Sequence, residues 1–281
     1  MESMVVEHEA VTLDLLLEKV YRDAGYDFRD YKRGTVTRRL ERRLHATGTK
    51  TYLDYMRFLD THPEEYQKFA EYLTIKASAF FRSPYAFQKV TELMLPELVS
   101  CKRSRGEQSL KFWSTACARG EEPYSIAILL AEFLGNQRQD FDIAIYATDI
   151  SRQALAEVQA GIYSSKDVEG IPSTILKNYF TRQGENYKVR ADIRQMVNFS
   201  SFDLTSIIHQ SLLDLDCIFC CNVLIYFQKQ LQERVLGMLY DSLAIPGYLV
   251  LGEVETVTGN LREKLECLES KAKIYRKVRT A

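Results

Sequence analysis

The chain has 281 residues, enough for one large domain or for a large domain and a small one. Its 46% hydrophobic and 27% charged residues are ordinary for a globular protein, and 37 Lys and Arg against 38 Asp and Glu leave a net charge of −1. This balance excludes a whole-chain attraction to nucleic acid or to an anionic membrane, so any basic partner-binding surface must be local.

The opening stretch MESMVVEHEAVTLDLL is acidic and interrupted by charge, unlike the basic-then-apolar layout of a secretory leader. The apolar run IAILLAEFL from Ile126 is far short of the roughly 20 residues that span a bilayer. A cytoplasmic protein without membrane insertion is expected. Six cysteines, at 101, 117, 217, 220, 221 and 267, lack the density and regular spacing of a disulfide framework, which favours reduced, buried thiols.

From Val11 to Phe87 the pattern is helical. Leu13, Leu16, Leu17 and Val20 recur at helical spacing, as do Val36, Leu40 and Leu44, then Tyr52, Tyr55, Met56 and Leu59. Thr61-His-Pro breaks the pattern before a further helix over Glu64 to Leu73. Residues 1–87 are therefore expected to form a small all-helical domain.

After Pro96 the texture changes. The polar stretch CKRSRGE from Cys101 leads into LKFWSTAC, a short strand rich in β-formers, followed by a helix over Pro123 to Leu134. FDIAIYATDI is a second strand and Arg152 to Ala160 a second helix. Strand, helix, strand, helix predicts a βαβ unit and a parallel sheet. NYFTRQGENYKV then alternates apolar and polar residues around Gln-Gly-Glu-Asn, which predicts an antiparallel insertion at about 178–200 before a return to the sheet at Met196 to Phe199. CIFCCNVLIYF, a helix over Lys229 to Leu243, the strand YLVLGEV and a last strand near Ile274 to Val278 complete a doubly wound α/β domain over 88–281.

The chemistry falls at strand ends. TACARGEEPYSIA, from Thr115, lies where the first strand gives way to its helix, at the carboxyl edge where doubly wound sheets bind ligands. The stretch is not GxGxxG and has no P-loop lysine, and Glu121 and Glu122 stand where a phosphate would need donors. Paired acids there fit a ligand with a cationic end, or else complement the helix N-terminal dipole. IYATDIS puts Asp149 at the same edge one strand along, placed to accept the hydroxyls of an adenosine ribose or to cap the next helix. Together they favour S-adenosylmethionine, a cationic adenosine ligand without phosphate. Cys217-x-x-Cys220-Cys221 has only His209 as a nearby fourth ligand, so no metal site is expected.

KASAFFRSPYAF, TACARGEEPYSIA, ATDIS and FCCNVLIYF resemble, in order and spacing, the chemotaxis receptor methyltransferases of the CheR family. The likeness covers nearly the whole chain, including the helical domain. It implies a Rossmann-like methyltransferase domain that transfers a methyl group from S-adenosylmethionine, leaving S-adenosylhomocysteine, to glutamate side chains on the cytoplasmic helical bundle of bacterial chemoreceptors. By the resemblance, Arg82 and Tyr226 are the catalytic residues. The cofactor site comprises Lys76, Ser78, Arg82, Glu121, Glu122, Asp149, Asp203, Leu204, Cys221 and Asn222. The chain departs from the family where Cys221 replaces an arginine, Lys76 an asparagine and Asp203 an asparagine. A binding module with another protein target, or without transfer activity, is the alternative.

TRRLERRLH pairs Arg38 with Arg42 and Arg39 with Arg43 one helical turn apart. Such a stripe is either a solvated face or, within the resemblance, a docking surface for the acidic methylation region of a receptor. One basic helix without interleaved aromatics does not point to nucleic acid. RQGENYK is short where some family members carry a glycine-rich loop that captures a receptor C-terminal pentapeptide, so dependence on that tether is not expected.

Overall fold

The computed structural model describes residues 2–74, 77–206 and 212–278, with side chains from residue 10 onward. The chain divides into two compact units, Met1–Ile75 with Tyr226–Leu231, and Lys76–Ile225 with Gln232–Ala281.

The first unit is helical: α1 (Glu2–Ala24), α2 (Arg33–Thr47), α3 (Tyr52–Thr61) and α4 (Glu64–Leu73). Its core is the set of residues spaced by three and four, with Leu16, Leu17, Val20, Val36, Leu40, Tyr55 and Phe69 buried. Thr51 caps α3, its hydroxyl accepting the Asp54 N–H at 3.1 Å, and Gly48 closes α2 in the left-handed conformation. The stretch 226–228 is stitched onto the α1–α2 connection. Lys32 N–H donates to the Tyr226 carbonyl and Gln228 N–H to that of Asp30, both at 2.8 Å, and the Tyr31 and Phe227 rings meet edge to face.

The second unit begins with α5 (Pro84–Lys89), a π-helical turn (Val90–Met94) and α6 (Leu95–Ser104). It continues with β1 (Ser109–Ser114), α7 (Glu121–Leu134), β2 (Asp142–Asp149), α8 (Arg152–Val158), β3 (Ile162–Ser164), α9 (Ser173–Tyr179), β4 (Phe180–Gln183), β5 (Asn186–Val189), α10 (Ala191–Arg194) and β6 (Val197–Ser201). β7 (Leu215–Cys220), α11 (Lys229–Ser242), β8 (Leu243–Leu251), α12 (Leu261–Lys264), β9 (Leu265–Glu269) and β10 (Ile274–Lys277) complete it. The main sheet has the order β6-β2-β1-β7-β8-β10-β9, parallel from β6 through β8 and antiparallel from β8 to β9. β1 is followed in sequence by its neighbour on one side, β2, while β7 lies on its other side, so the order reverses at β1. Burial on both faces explains the apolar run Cys217 to Cys220 of β7; all six residues of the strand are buried, Asp216 among them with Lys102 as its ion-pair partner at 2.8 Å. β3, β5 and β4 form the separate antiparallel sheet, with Gly184 at positive φ in the hairpin turn.

Two boundaries differ from the sequence reading. The helical unit ends near residue 75 rather than 87, because Phe80, Phe87, Val90 and Met94 pack into the core of the sheet unit. β8 starts at Leu243 rather than at Tyr248: the pairing jumps from Leu215–Leu243 to Cys217–Tyr248, and Pro246 and Gly247 occupy the irregularity. A proline that breaks a strand pattern in sequence is tolerated at such a bulge.

In the helical unit, Glu65 is 2% exposed. Its carboxylate accepts from Arg43 Nε at 2.9 Å, from Arg43 Nη2 at 2.6 and 2.8 Å, and from Tyr55 Oη at 2.8 Å. Arg43→Ala leaves that buried carboxylate without its cation and is expected to destabilise the protein by about 3 kcal/mol in denaturant unfolding. A loss below about 1 kcal/mol, the range of a surface pair, would contradict this reading.

Candidate active site

The site residues of the sheet unit converge where β1, β2 and β7 end. Hydrogen bonds fix these ends to one another. Thr115 N–H donates to the Phe219 carbonyl at 3.0 Å and Cys117 N–H to that of Thr148 at 2.9 Å. Trp113 Nε1 donates to Thr148 Oγ1, which donates to the Thr115 carbonyl, both at 2.9 Å. The turn into α7 reverses tightly, with Ala118 at φ 47° and Gly120 at φ 83°. At Gly120 this φ strains any side chain, and a Cβ would also press at 3.1 Å on both Tyr163 Oη and Val158 Cβ.

Asp149 holds this turn. Its Oδ2 accepts from Ala118 N–H and its Oδ1 from Ser151 N–H, both at 2.9 Å. Ser151, rather than Asp149, caps α8 through the Ala154 N–H. Phe202 N–H donates to the Asp149 carbonyl at 3.1 Å, which brings Asp203 and Leu204 to the same strand end. Leu204 is buried, and Asp203 Oδ1 accepts from the N–H and the hydroxyl of Thr205 at 2.8 Å.

Glu121 is 1% exposed, and its Oε2 has no hydrogen-bond partner. Arg119 Nε stands 3.7 Å from the other oxygen but is drawn aside to Asp167 at 2.7 Å, and the Ser78 hydroxyl lies close by. Burial raises the Glu121 carboxyl above the ordinary range. Glu122 is half-buried and accepts from Ser114 Oγ at 2.7 Å. Burial pushes it up to about 7, and the Glu255 charge adds to this, while Ser114, the Cys221 thiol and Arg82 pull the other way.

Cys221 sits between Glu122 and Glu255. Burial and both carboxylates hold its thiol protonated. A neutral thiol thus stands where the family's arginine would bring a cation. Asn222 follows with φ 61°, its N–H donating to Glu255 Oε2 at 2.8 Å. Arg82 is exposed, flanked by Phe81 and Ser83 at positive φ, and donates to the Ala77 carbonyl at 3.0 Å. Phe81 N–H donates to Ser125 Oγ on α7, which docks that segment beside the acids. Lys76 and His209 lie outside the described residues. The cysteines at 217, 220 and 221 are free thiols, and no group of three or more metal-type ligands occurs among the described residues.

Tyr226 belongs to the helical unit, where Arg39 is its neighbour. The basic stripe on α2 is split. Arg39 donates to the carbonyls of Tyr72 and Leu73 at 2.9 and 2.7 Å, and Arg43 serves Glu65, whereas Arg38 and Arg42 are exposed. Sequence reasoning did not single out Ser114 or Glu255 as site residues. The signals were a lone polar residue closing the strand LKFWS and an acid buried in GEVET.

The residues suit S-adenosylmethionine. Two acids, one with an unpartnered buried oxygen, face the reversal point with no lysine in the turn, and Thr115 Oγ1 is a second buried atom without a partner. Such a set offers unpaired acceptors to an ammonium group and lacks the lysine of a phosphate-binding loop. Glu121 and Glu122 would hold that group and Asp149 the ribose.

Raised acids carry a signature. The Glu122 contribution to stability is fully present below its ordinary value of 4.5 and is lost as the pH rises through about 7. That difference corresponds to roughly 3 kcal/mol. At pH 8, Glu122→Gln should therefore raise the stability of the ligand-free protein by up to about 3 kcal/mol while weakening S-adenosylmethionine binding. In the native protein calorimetric affinity should improve about tenfold from pH 6 to pH 8, because the carboxyl must lose its proton to meet an ammonium. An affinity flat across that window contradicts the assignment.

A model of the CheR methyltransferase SAM binding domain matches residues 76–274, and one of the CheR methyltransferase all-alpha domain matches residues 12–74. An uncharacterized 104.1 kDa protein of Rhodobacter capsulatus is 28% identical over 96% of this chain, which spans only 28% of that protein. The chemotaxis protein methyltransferase of Klebsiella aerogenes is 36% identical over 84% of this chain and 80% of its own length, and that of Borreliella burgdorferi 29% identical over 88% and 89%. With both domain models matched across this fold and this acidic strand edge, the chain belongs to the CheR family of S-adenosylmethionine-dependent methyltransferases.

Proposed function

We propose that this chain transfers a methyl group from S-adenosylmethionine to glutamate side-chain carboxylates of chemoreceptors in chemotactic adaptation. The observation that carries the reading is the pair of acids at the sheet reversal, Glu121 buried with an unpartnered oxygen and Glu122 half-buried beside it. The relatives named chemotaxis protein methyltransferase support the pathway.

When bound, S-adenosylmethionine supplies an electrophilic methyl carbon. The acceptor glutamate, with an unperturbed value near 4.3, is already ionised in the cytoplasm, so no general base is needed. The protein's task is alignment and exclusion of water. In this reading Glu121 and Glu122 bind the ammonium, Asp149 the ribose hydroxyls, and Asp203 with Leu204 the adenine edge. Arg82 orients the acceptor carboxylate or the tyrosine, and Tyr226 completes the alignment. Arg38 and Arg42, exposed on α2, are the docking cations for an acidic receptor surface. Arg39 and Arg43 act from within the helical unit, through their bonds to the α4 carbonyls and to Glu65.

A second reading, a cofactor-binding signalling module without transfer, is favoured by the neutral thiol beside Glu122. The two readings separate on incubating the protein with labelled S-adenosylmethionine and receptor cytoplasmic fragments. Label released by mild alkali from receptor glutamates is expected, with Arg82→Ala or Tyr226→Phe lowering kcat by about 10²-fold, as expected for lost alignment. Cofactor binding without any transfer would overturn the first reading.

The same fragments test docking and tethering. Arg38→Ala with Arg42→Ala should weaken fragment binding and flatten its dependence on salt. Removing the receptor C-terminal pentapeptide should leave the affinity unchanged, and a large loss on its removal would contradict the tether-free reading.

A further inference from the structure

Glu255 lies in the turn after β8 and is 4% exposed. Its Oε2 accepts from Asn222 N–H and from Gly252 N–H, both at 2.8 Å. Its Oε1 accepts from Ile225 N–H at 3.3 Å, and the Leu224 amide also points at the carboxylate. The Glu255 N–H closes its own turn onto the Gly252 carbonyl at 2.9 Å. One side chain thereby ties the loop after β7 to the loop after β8, with backbone amides as its donors.

Two further observations show that this clamp is built. Asn222 sits at φ 61°, in the left-handed region that asparagine enters more readily than other residues with a side chain, and this turns its N–H onto the carboxylate. At Gly252 a Cβ would lie 2.7 Å from Glu255 Oε2 and 3.0 Å from both Asn222 N and Nδ2, so the glycine keeps the space in which carboxylate and asparagine meet. The amides that converge here belong to Asn222 and to the turn Leu224–Tyr226, whose last residue is the tyrosine.

We infer that Glu255 is a positioning residue for methyl transfer: it fixes Asn222 against the cofactor and sets the path of the chain into Tyr226. The inference rests on the roles proposed above for Asn222 and Tyr226. A carboxylate suits this place because both of its oxygens accept. Glutamine keeps the shape but turns an NH2 toward at least one amide N–H, and aspartate is too short to reach both loops.

Glu255→Gln and Gly252→Ala attack the clamp independently, one through its acceptors and one through its space. Each is expected to weaken S-adenosylmethionine binding in calorimetry by about fivefold or more and to lower kcat for receptor methylation by about 10²-fold, while KM for the receptor stays unchanged. In amide NMR the Asn222 and Gly252 N–H signals, shifted downfield by the carboxylate, should move upfield in Glu255→Gln. Variants that lose thermal stability while keeping cofactor affinity and kcat per folded molecule would reduce Glu255 to a packing role and overturn the inference. Should the native chain methylate no receptor fragment, the proposed acceptor fails, yet the cofactor-affinity and NMR arms still decide whether Glu255 positions Asn222.

Discussion

Backbone amides and hydroxyls, rather than cations, hold most of the carboxylates at the carboxyl edge of the sheet. Asp149 accepts from Ala118 and Ser151, Glu255 from Asn222, Gly252 and Ile225, and Glu122 from the Ser114 hydroxyl. Neutral donors satisfy lone pairs without cancelling charge, so the edge keeps its negative character after its geometry has been fixed. Among the described residues, the one cation set against these acids in an ion pair, Arg119 beside Glu121, is 3.7 Å away and shared with Asp167. A ligand carrying positive charge completes the site electrostatically, whereas a phosphate would be repelled by the paired carboxylates of the turn.

That arrangement works against the ligand-free fold. Desolvation drives Glu121, Glu122 and Glu255 upward, and the Cys221 thiol stays protonated between two of them. Strain collects at the same edge, with Ala118 and Asn222 both at positive φ. Buried acids and strained backbone persist only where the surrounding structure enforces them, and here the parallel strands β1, β2 and β7 do so through bonds between their ends. In the helical unit the buried acid is answered differently: Glu65 has a guanidinium fork and a phenol, a closed arrangement that serves stability.

Much of this edge was legible in the sequence because strand ends are. Glu121 and Glu122 open the helix that follows the β-rich run LKFWSTAC, and Asp149 closes the run FDIAIYATD, so strand–helix alternation puts all three at one sheet edge. Glu255 was not singled out as a site residue because its partners are backbone amides, at Gly252 and some thirty positions earlier at Asn222 and Ile225, and amides carry no signature in sequence. The same blindness applies to α2, where four arginines at helical spacing read alike, yet two are spent on carbonyls of α4 and on Glu65. The boundary near residue 75 was missed because the helical period continues into α5, while what Phe80 and Phe87 pack against is a tertiary fact. Proline at 246 hid the start of β8, since only the register shows the bulge that admits it.

On the proposed reading, Glu121 and Glu122 at the start of α7 hold an ammonium group. Calorimetric titration at pH 8 with S-adenosylmethionine and with its analogue bearing hydrogen in place of the amino group tests it directly. A charge-assisted hydrogen bond contributes about 1.5–3 kcal/mol, so the analogue should bind roughly tenfold to a hundredfold more weakly. Equal affinities would mean that Glu121 and Glu122 serve the helix start alone, and would contradict the account.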